Sequence, residues 1–202
     1  WSRLVGSEMC IRDRRYNMPE LADFGNNNNN FLPRLECTML LGVTGRNAAG
    51  KTTIVEWFVN QGWDGCSCSD AIRHWLRENG QEITRENLTQ GGRTLRSQGG
   101  AGILAEMLLD RMDSEQNTII DSIRTPDEVY ALRSRDDFLL IEVNVPLDLR
   151  WKRMQERARD GDPVDYEFFL KQEDAEAIAE DSSGQALIAT ANLSDIVISN
   201  DG

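Results

Sequence analysis

The segment Gly42-Val43-Thr44-Gly45-Arg46-Asn47-Ala48-Ala49-Gly50-Lys51-Thr52-Thr53 brings together residue types that can hold phosphate. Gly45 and Gly50 enclose four residues and are followed by Lys51 and Thr52, the full G-x4-G-K-[ST] spacing. Glycines let the backbone turn its N–H groups inward around phosphate oxygens, and a helix starting there adds the positive end of its dipole. Lys51 would bring a charge to the β- and γ-phosphates of ATP, and Thr52 a hydroxyl to Mg2+. The expected nucleotide-holding set is Gly45, Asn47, Ala48, Ala49, Gly50, Lys51, Thr52 and Thr53.

Asp121 ends the apolar run Thr118-Ile119-Ile120, a predicted strand whose C-terminal edge is where open α/β sheets bind ligands. Its carboxylate can act through Mg2+ or orient a phosphoryl acceptor, so the expected metal-facing pair is Thr52 and Asp121. Arginines stand where a second phosphate would sit: Arg73, Arg96, Arg124, and Arg150, Arg153 and Arg157 at i, i+3, i+7 of one predicted helix. That last face lies beside the apolar stripe Leu147, Trp151, Met154 and Ala158, so it is expected to be free for a ligand. Phosphoryl transfer asks a protein mainly to position groups and neutralise charge, and arginine forks do both. The guanine signature Asn-Lys-x-Asp of a GTPase does not occur. Thr89-Gln90-Gly91-Gly92-Arg93 is a faint transporter-ATPase signature in a domain far too small for that class.

The elements that must position these groups alternate. Strand 39–44 enters the glycine turn, and a helix over 50–61 carries Ile54, Trp57 and Phe58 before Gly62. A strand near 63–68 leads to a helix capped by Ser69 and stopped by Gly80, with Ile72, Trp75 and Leu76 as its apolar stripe. Helices over 84–97 and 101–113 flank Gly99-Gly100. Thr125-Pro126-Asp127-Glu128 spells a capping box with Pro at the first helical position. The nearly continuous apolar run from Phe138 to Val145 suits a parallel strand covered on both faces. Helices from Pro146, from about Asp165 and near 184–191 precede a last strand at 196–198. The fold class follows as α/β: a three-layer sandwich around a five-stranded parallel sheet, with a small helical lid over 146–165 hinged near Gly161-Asp162-Pro163.

Composition narrows the partners. Residues 39–202 suffice for one domain with its own core. The formal charge is −12; in residues 1–38 basic and acidic side chains balance, so the excess belongs to the domain. An acidic surface of this kind argues against non-specific nucleic-acid binding, which depends on Lys and Arg neutralising phosphates. No apolar run reaches the length of a membrane span, and a cytoplasmic setting is expected. Cys66 and Cys68 are expected as small buried strand residues in a reducing compartment, and His74 as a surface or packing residue. Leu4 to Asp13, LVGSEMCIRD, resembles one reading frame of a transposon end used to prepare sequencing libraries, and Asn26 to Asn30 offers nothing to bury. Residues 1–38 are therefore expected to be a disordered or artefactual tail, with 39–202 the domain, truncated at its C-terminus.

Lys51 with its loop, Ser69-Asp70-x-x-Arg73 and Ile119-Ile120-Asp121-Ser122-Ile123-Arg124-Thr125 resemble nucleoside-monophosphate kinases of the adenylate kinase type. The resemblance implies that ATP is the phosphoryl donor and a small nucleotide-like molecule the acceptor. It implies that Arg73 and Arg124 grip the acceptor's phosphate; with Asp70 and Arg96 they make up the expected acceptor-binding set. Arg153, Arg157 and Arg159 would belong to a lid closing on the ATP phosphates, so the catalytic set is Lys51, Asp70, Asp121, Arg153 and Arg157. Asp195 to Gly202 resembles the last strand and adenine loop of dephospho-CoA kinases, and more closely the small dephospho-CoA-kinase-like ATPases, some fused to deoxycytidylate deaminases. The element ending at Arg124 is one residue shorter than in adenylate kinases and lacks their Pro, and Ser69 stands where they have Gly. Of the Asp-x-Asp usual in dephospho-CoA kinases only Asp70 is present. A deaminase signature H-x-E with P-C-x-x-C does not occur. The resemblance leaves three readings open: a nucleotide kinase, a dephospho-CoA kinase, or a regulatory ATP-binding module of a larger protein with a fused or downstream domain.

Overall fold

The computed structural model describes residues 38–158, 162–163, 165–178 and 183–201. The expected tail up to residue 37, Arg159 and the hinge residue Gly161 lie outside the described residues.

The apolar run Leu40–Thr44 forms β1, buried at every position because both sheet faces are covered. It pairs in parallel with β3 (Thr118–Asp121) on one side and β4 (Phe138–Asn144) on the other. β2 (Asp64–Ser67) adds outside β3, and β5 (Ile196–Ser199) outside β4. The order β2-β3-β1-β4-β5 is wholly parallel, so the chain crosses over between strands through helices. It also places the turn-back of strand order beside β1, where the glycine loop emerges.

One sheet face is covered by α2 (Cys68–Glu78), α3 (Arg85–Gly99), α4 (Ile103–Leu109) and α5 (Pro126–Leu132), which bury Leu76, Leu95, Leu104 and Leu132 against Ile120, Ile123 and Leu140. The other face buries Leu41, Val43, Ile119, Ile141 and Val143 against α1 (Lys51–Asn60), which packs there with Ile54, Val55 and Phe58. Trp57, expected on that stripe, is 47% exposed and meets Phe58 edge-on at 4.9 Å. After β4 come α6 (Leu147–Arg157), α7 (Tyr166–Ala177) and α8 (Leu187–Ala191).

The helix starts follow local chemistry, with one shift from expectation. Thr125 and Glu128 form the anticipated reciprocal box at the start of α5. For α2, however, the cap is Ser67 and not Ser69: Ser67 accepts from the Ser69 N–H, and Asp70 reaches back to the Ser67 N–H. Two serines flank this start, and the one followed three residues later by a carboxylate wins the cap. Cys68 thus opens α2 and is buried, while Cys66 remains on β2, half-buried. No helix among the described residues is long and apolar enough to cross a membrane.

Candidate functional site

The loop after β1, the start of α2 just after β2 and the end of β3 line a cavity of about 630 Å³. The loop after β1 forms one wall. Gly45 has φ +137°, and a Cβ there would stand 2.5 Å from the Val143 carbonyl oxygen. Gly50 has φ +94°, and a Cβ there would stand 2.5 Å from Asn200 Nδ2. Gly45 is therefore required by backbone conformation and by close approach to backbone at once, and Gly50 by its conformation. Asn200 fastens the loop from the β5 end: its Nδ2 donates to the Ala49 carbonyl at 3.0 Å, and its own carbonyl accepts from Arg153 Nη2 at 2.9 Å.

Asn47, Ala48, Ala49, Gly50, Lys51, Thr52 and Thr53 all line the cavity. Lys51 Nζ donates to the carbonyls of Gly45 at 2.8 Å and Arg46 at 2.9 Å, folding back on its own loop. Burial lowers its pKa from the ordinary 10.5 to about 8, helped by the nearby Arg124 charge and opposed by Asp121 and Glu176.

Asp121 lines the cavity at the end of β3. Its Oδ1 accepts from the Ser122 N–H at 2.6 Å, with Ser122 in the left-handed region at φ +64°. Thr44 Oγ1 donates to the Ile123 carbonyl at 2.8 Å, which binds the end of β1 to this same turn. Thr52 and Asp121 therefore face one cavity from two elements, a hydroxyl and a carboxylate. No cluster of three or more His, Cys, Asp or Glu able to hold a metal ion occurs among the described residues.

The expected acceptor residues separate into two kinds. Arg73 and Arg124 line the cavity, and Arg124 Nη1 donates to Gln185 Oε1 at 2.7 Å. Arg96 also lines it but is held from behind by the fully buried Glu128 at 2.8 Å. The other Glu128 oxygen accepts from the N–H groups of Arg124 and Thr125, so this pair anchors α5 and α3 together. Asp70 is not among the described residues lining the cavity; its two oxygens serve the Ser67 N–H at 2.8 Å and Arg73 Nη1 at 2.7 Å.

The α6 arginines also divide. Arg153 and Arg157 line the cavity, Arg157 gripping Asp162 through two bonds of 2.9 Å. Arg150, expected on the ligand-facing side, is instead buried. It pairs with Glu173 at 2.7 Å and donates to the Val145 and Asn47 carbonyls at 3.1 and 3.4 Å. The i, i+3, i+7 face is wide enough for its first member to rotate toward α7 while the other two reach the cavity.

Sequence reasoning missed the acidic face of α7 altogether. Glu173 meets Arg150 and Arg46, and Glu176 meets Asn47 and Arg124. Two glutamates three apart on a helix were the available signal, and in a chain with 34 acidic residues that signal does not stand out.

No family model matches the chain. A protein of Thermococcus gammatolerans, described as a UPF0200 protein, is 30% identical over 138 residues, covering 65% of this chain and 73% of its own length. The chain belongs to the UPF0200 family. A UPF0200 protein of Thermococcus onnurineus is 29% identical over 138 residues, covering 65% and 75% of the two chains. Among solved structures, TT1252 from Thermus thermophilus aligns over 83% of this UPF0200 chain and 91% of its own, with TM-score 0.55 and 16% identity. Shikimate kinase from Acinetobacter baumannii aligns over 82% and 85%, with TM-score 0.52 and 14% identity. At such identities the likeness speaks for the fold alone: an α/β sandwich around a five-stranded parallel sheet.

Proposed function

We propose that this UPF0200 protein is an ATP-dependent phosphotransferase acting on a nucleoside monophosphate or a related small nucleotide. The observation that carries the reading is the shared cavity: the phosphate loop with Lys51 lines it together with a second group of cations, Arg73, Arg96 and Arg124. A module that only bound ATP would need the loop and no second group of cations. In this reading the loop N–H groups and Lys51 hold the donor phosphates. Arg73 and Arg124 hold the acceptor's phosphate, with Arg96 behind them. Arg153 and Arg157 neutralise charge on the transferred group as α6 closes over it.

Mg2+ fits the oxygen donors present. Thr52 and Asp121 would supply at most two ligands, as expected for an ion that keeps several waters and is held largely by nucleotide phosphates. When bound it would neutralise phosphate charge. Asp121, with one oxygen not committed to Ser122, is the better candidate of the two acids to orient the acceptor; Asp70 is spent on its helix cap and on Arg73.

The test is ADP formation from ATP and Mg2+ across a panel of ribo- and deoxynucleoside monophosphates and dephospho-CoA. A rate that rises with one acceptor supports the reading and names the substrate. ATP bound tightly with no acceptor dependence would turn the assignment to a regulatory ATP-binding module.

A further inference from the structure

α7 presents two glutamates, one turn apart, to the phosphate loop, and the two are bound differently. Glu173 is 7% exposed, lies 2.7 Å from Arg150 Nη1 and 3.8 Å from Arg46 Nη1, and its carbonyl accepts from Arg46 at 2.8 Å. Glu173, Arg150 and Arg46 all lie outside the cavity lining.

Glu176 stands in the cavity itself. Asn47 Nδ2 donates to its two oxygens at 3.3 and 3.1 Å, and Arg124 Nη1 lies 3.5 Å from Oε2. Its charge acts on Lys51 in the direction that favours the ammonium form. One carboxylate therefore lies between a loop that would hold the donor and an arginine that would hold the acceptor. Amide, guanidinium and ammonium are the partners a phosphoryl group would take there. Behind Glu176 a second cavity of about 240 Å³ opens between α3 and α7, bordered by Arg93, Gln172 and Ala175. Glu176 borders both cavities, so its side chain has space into which to withdraw.

We infer that Glu176 is an internal counter-ion that occupies the phosphoryl position of the nucleotide-free protein and must be displaced by polyphosphate. The inference rests on the phosphate-binding half of the proposed function. A carboxylate and a phosphate cannot share those partners without strong like-charge repulsion, so each bound phosphate works against the seating of α7. The seated helix is the state of lower phosphate affinity, and polyphosphate shifts the population toward the withdrawn one.

The probe is inorganic triphosphate, titrated calorimetrically into the full chain and into Glu176→Gln, which keeps the side-chain shape and removes the charge. Glu176→Gln should bind triphosphate roughly tenfold more tightly, whereas Glu173→Gln should show no such gain. In the unsubstituted protein, triphosphate should speed amide hydrogen exchange in α7, an arm that decides the matter if Glu176→Gln folds poorly. Equal or weaker triphosphate binding by a folded Glu176→Gln, or α7 amides slowed by triphosphate, would overturn the inference. Acceptor-dependent ADP formation is measured alongside. If it is absent while Glu176→Gln still gains affinity, the kinase reading falls and the counter-ion stands; the opposite pattern removes the counter-ion alone.

Discussion

Arg150 and Glu173 pair at 2.7 Å beneath the phosphate loop, their side chains 6% and 7% exposed. Arg150 Nη1 also reaches the Asn47 carbonyl, so the pair joins α6, α7 and the loop at one point. Removing one partner strands the other's charge in a poorly solvated place. Arg150→Met should therefore destabilise the protein by about 3–5 kcal/mol, and Arg150→Met with Glu173→Met together by less than the sum. Denaturant unfolding of the two single variants and the double closes that cycle. Additive losses would mean that the pair is not coupled.

Lys51 makes stability depend on pH in a direction opposite to that of most lysines. Its folded pKa lies near 8 against an ordinary 10.5, so between those values the unfolded chain binds more protons than the folded one. Stability should rise as pH climbs from 8, and the rise should be missing in Lys51→Met. Above pH 9 the buried thiols act the other way, because burial pushes Cys66 up to about 12 and raises Cys68 as well. The comparison is thus the difference in unfolding free energy between wild type and Lys51→Met over pH 8–10. The same Lys51→Met variant should have no measurable phosphoryl transfer while remaining folded.

Asp70 and Asp121 are separated by what already occupies them. Asp70 closes the capping box of α2 with Ser67, so Asp70→Ala should cost about 1 kcal/mol of stability and leave turnover nearly intact. Asp121→Ala should do the reverse, losing turnover with a small change in melting temperature. Thermal melts and ADP formation on both variants check the pair. A turnover loss in Asp70→Ala equal to that in Asp121→Ala would restore Asp70 to the chemistry.

Features written in neighbouring residues are legible in the sequence. The glycine loop, the Thr125–Glu128 box and the alternation that dictates a parallel sheet all depend on spacings of a few residues. Even so, the start of α2 moved from Ser69 to Ser67, because both serines can cap and only the reach of Asp70 decides between them. Pairings across the chain were not legible. Arg150 meets Asn47 across 103 positions and Asn47 meets Glu176 across 129. Nothing in the sequence states how α7 is rotated over the loop, and one face of α6 can point to solvent, ligand or helix with the same residues. Arg96 was legible as a cation near the site; that a fully buried Glu128 holds it required the packed α3–α5 interface.

Arg124 and Arg73 reach the cavity with different amounts of prior commitment. Arg124 is bonded to Gln185 and lies within ion-pair distance of Glu176, whereas Arg73 is paired with the half-exposed Asp70. An exposed pair such as Arg73–Asp70 contributes little by itself, so Arg73 can turn toward an incoming phosphate at small cost. Hydrogen bonds to charged groups are worth about 1.5–3 kcal/mol, so Arg73→Ala or Arg124→Ala should raise KM for the acceptor by roughly ten- to a hundredfold. KM for ATP should change much less. Arg124→Ala should also release Glu176 from its arginine partner, so its acceptor defect should come with an altered affinity for inorganic triphosphate that Arg73→Ala does not show. Initial-rate kinetics with each substrate varied, together with triphosphate titration, separate the two variants. An unchanged acceptor KM in both would move the acceptor away from these arginines.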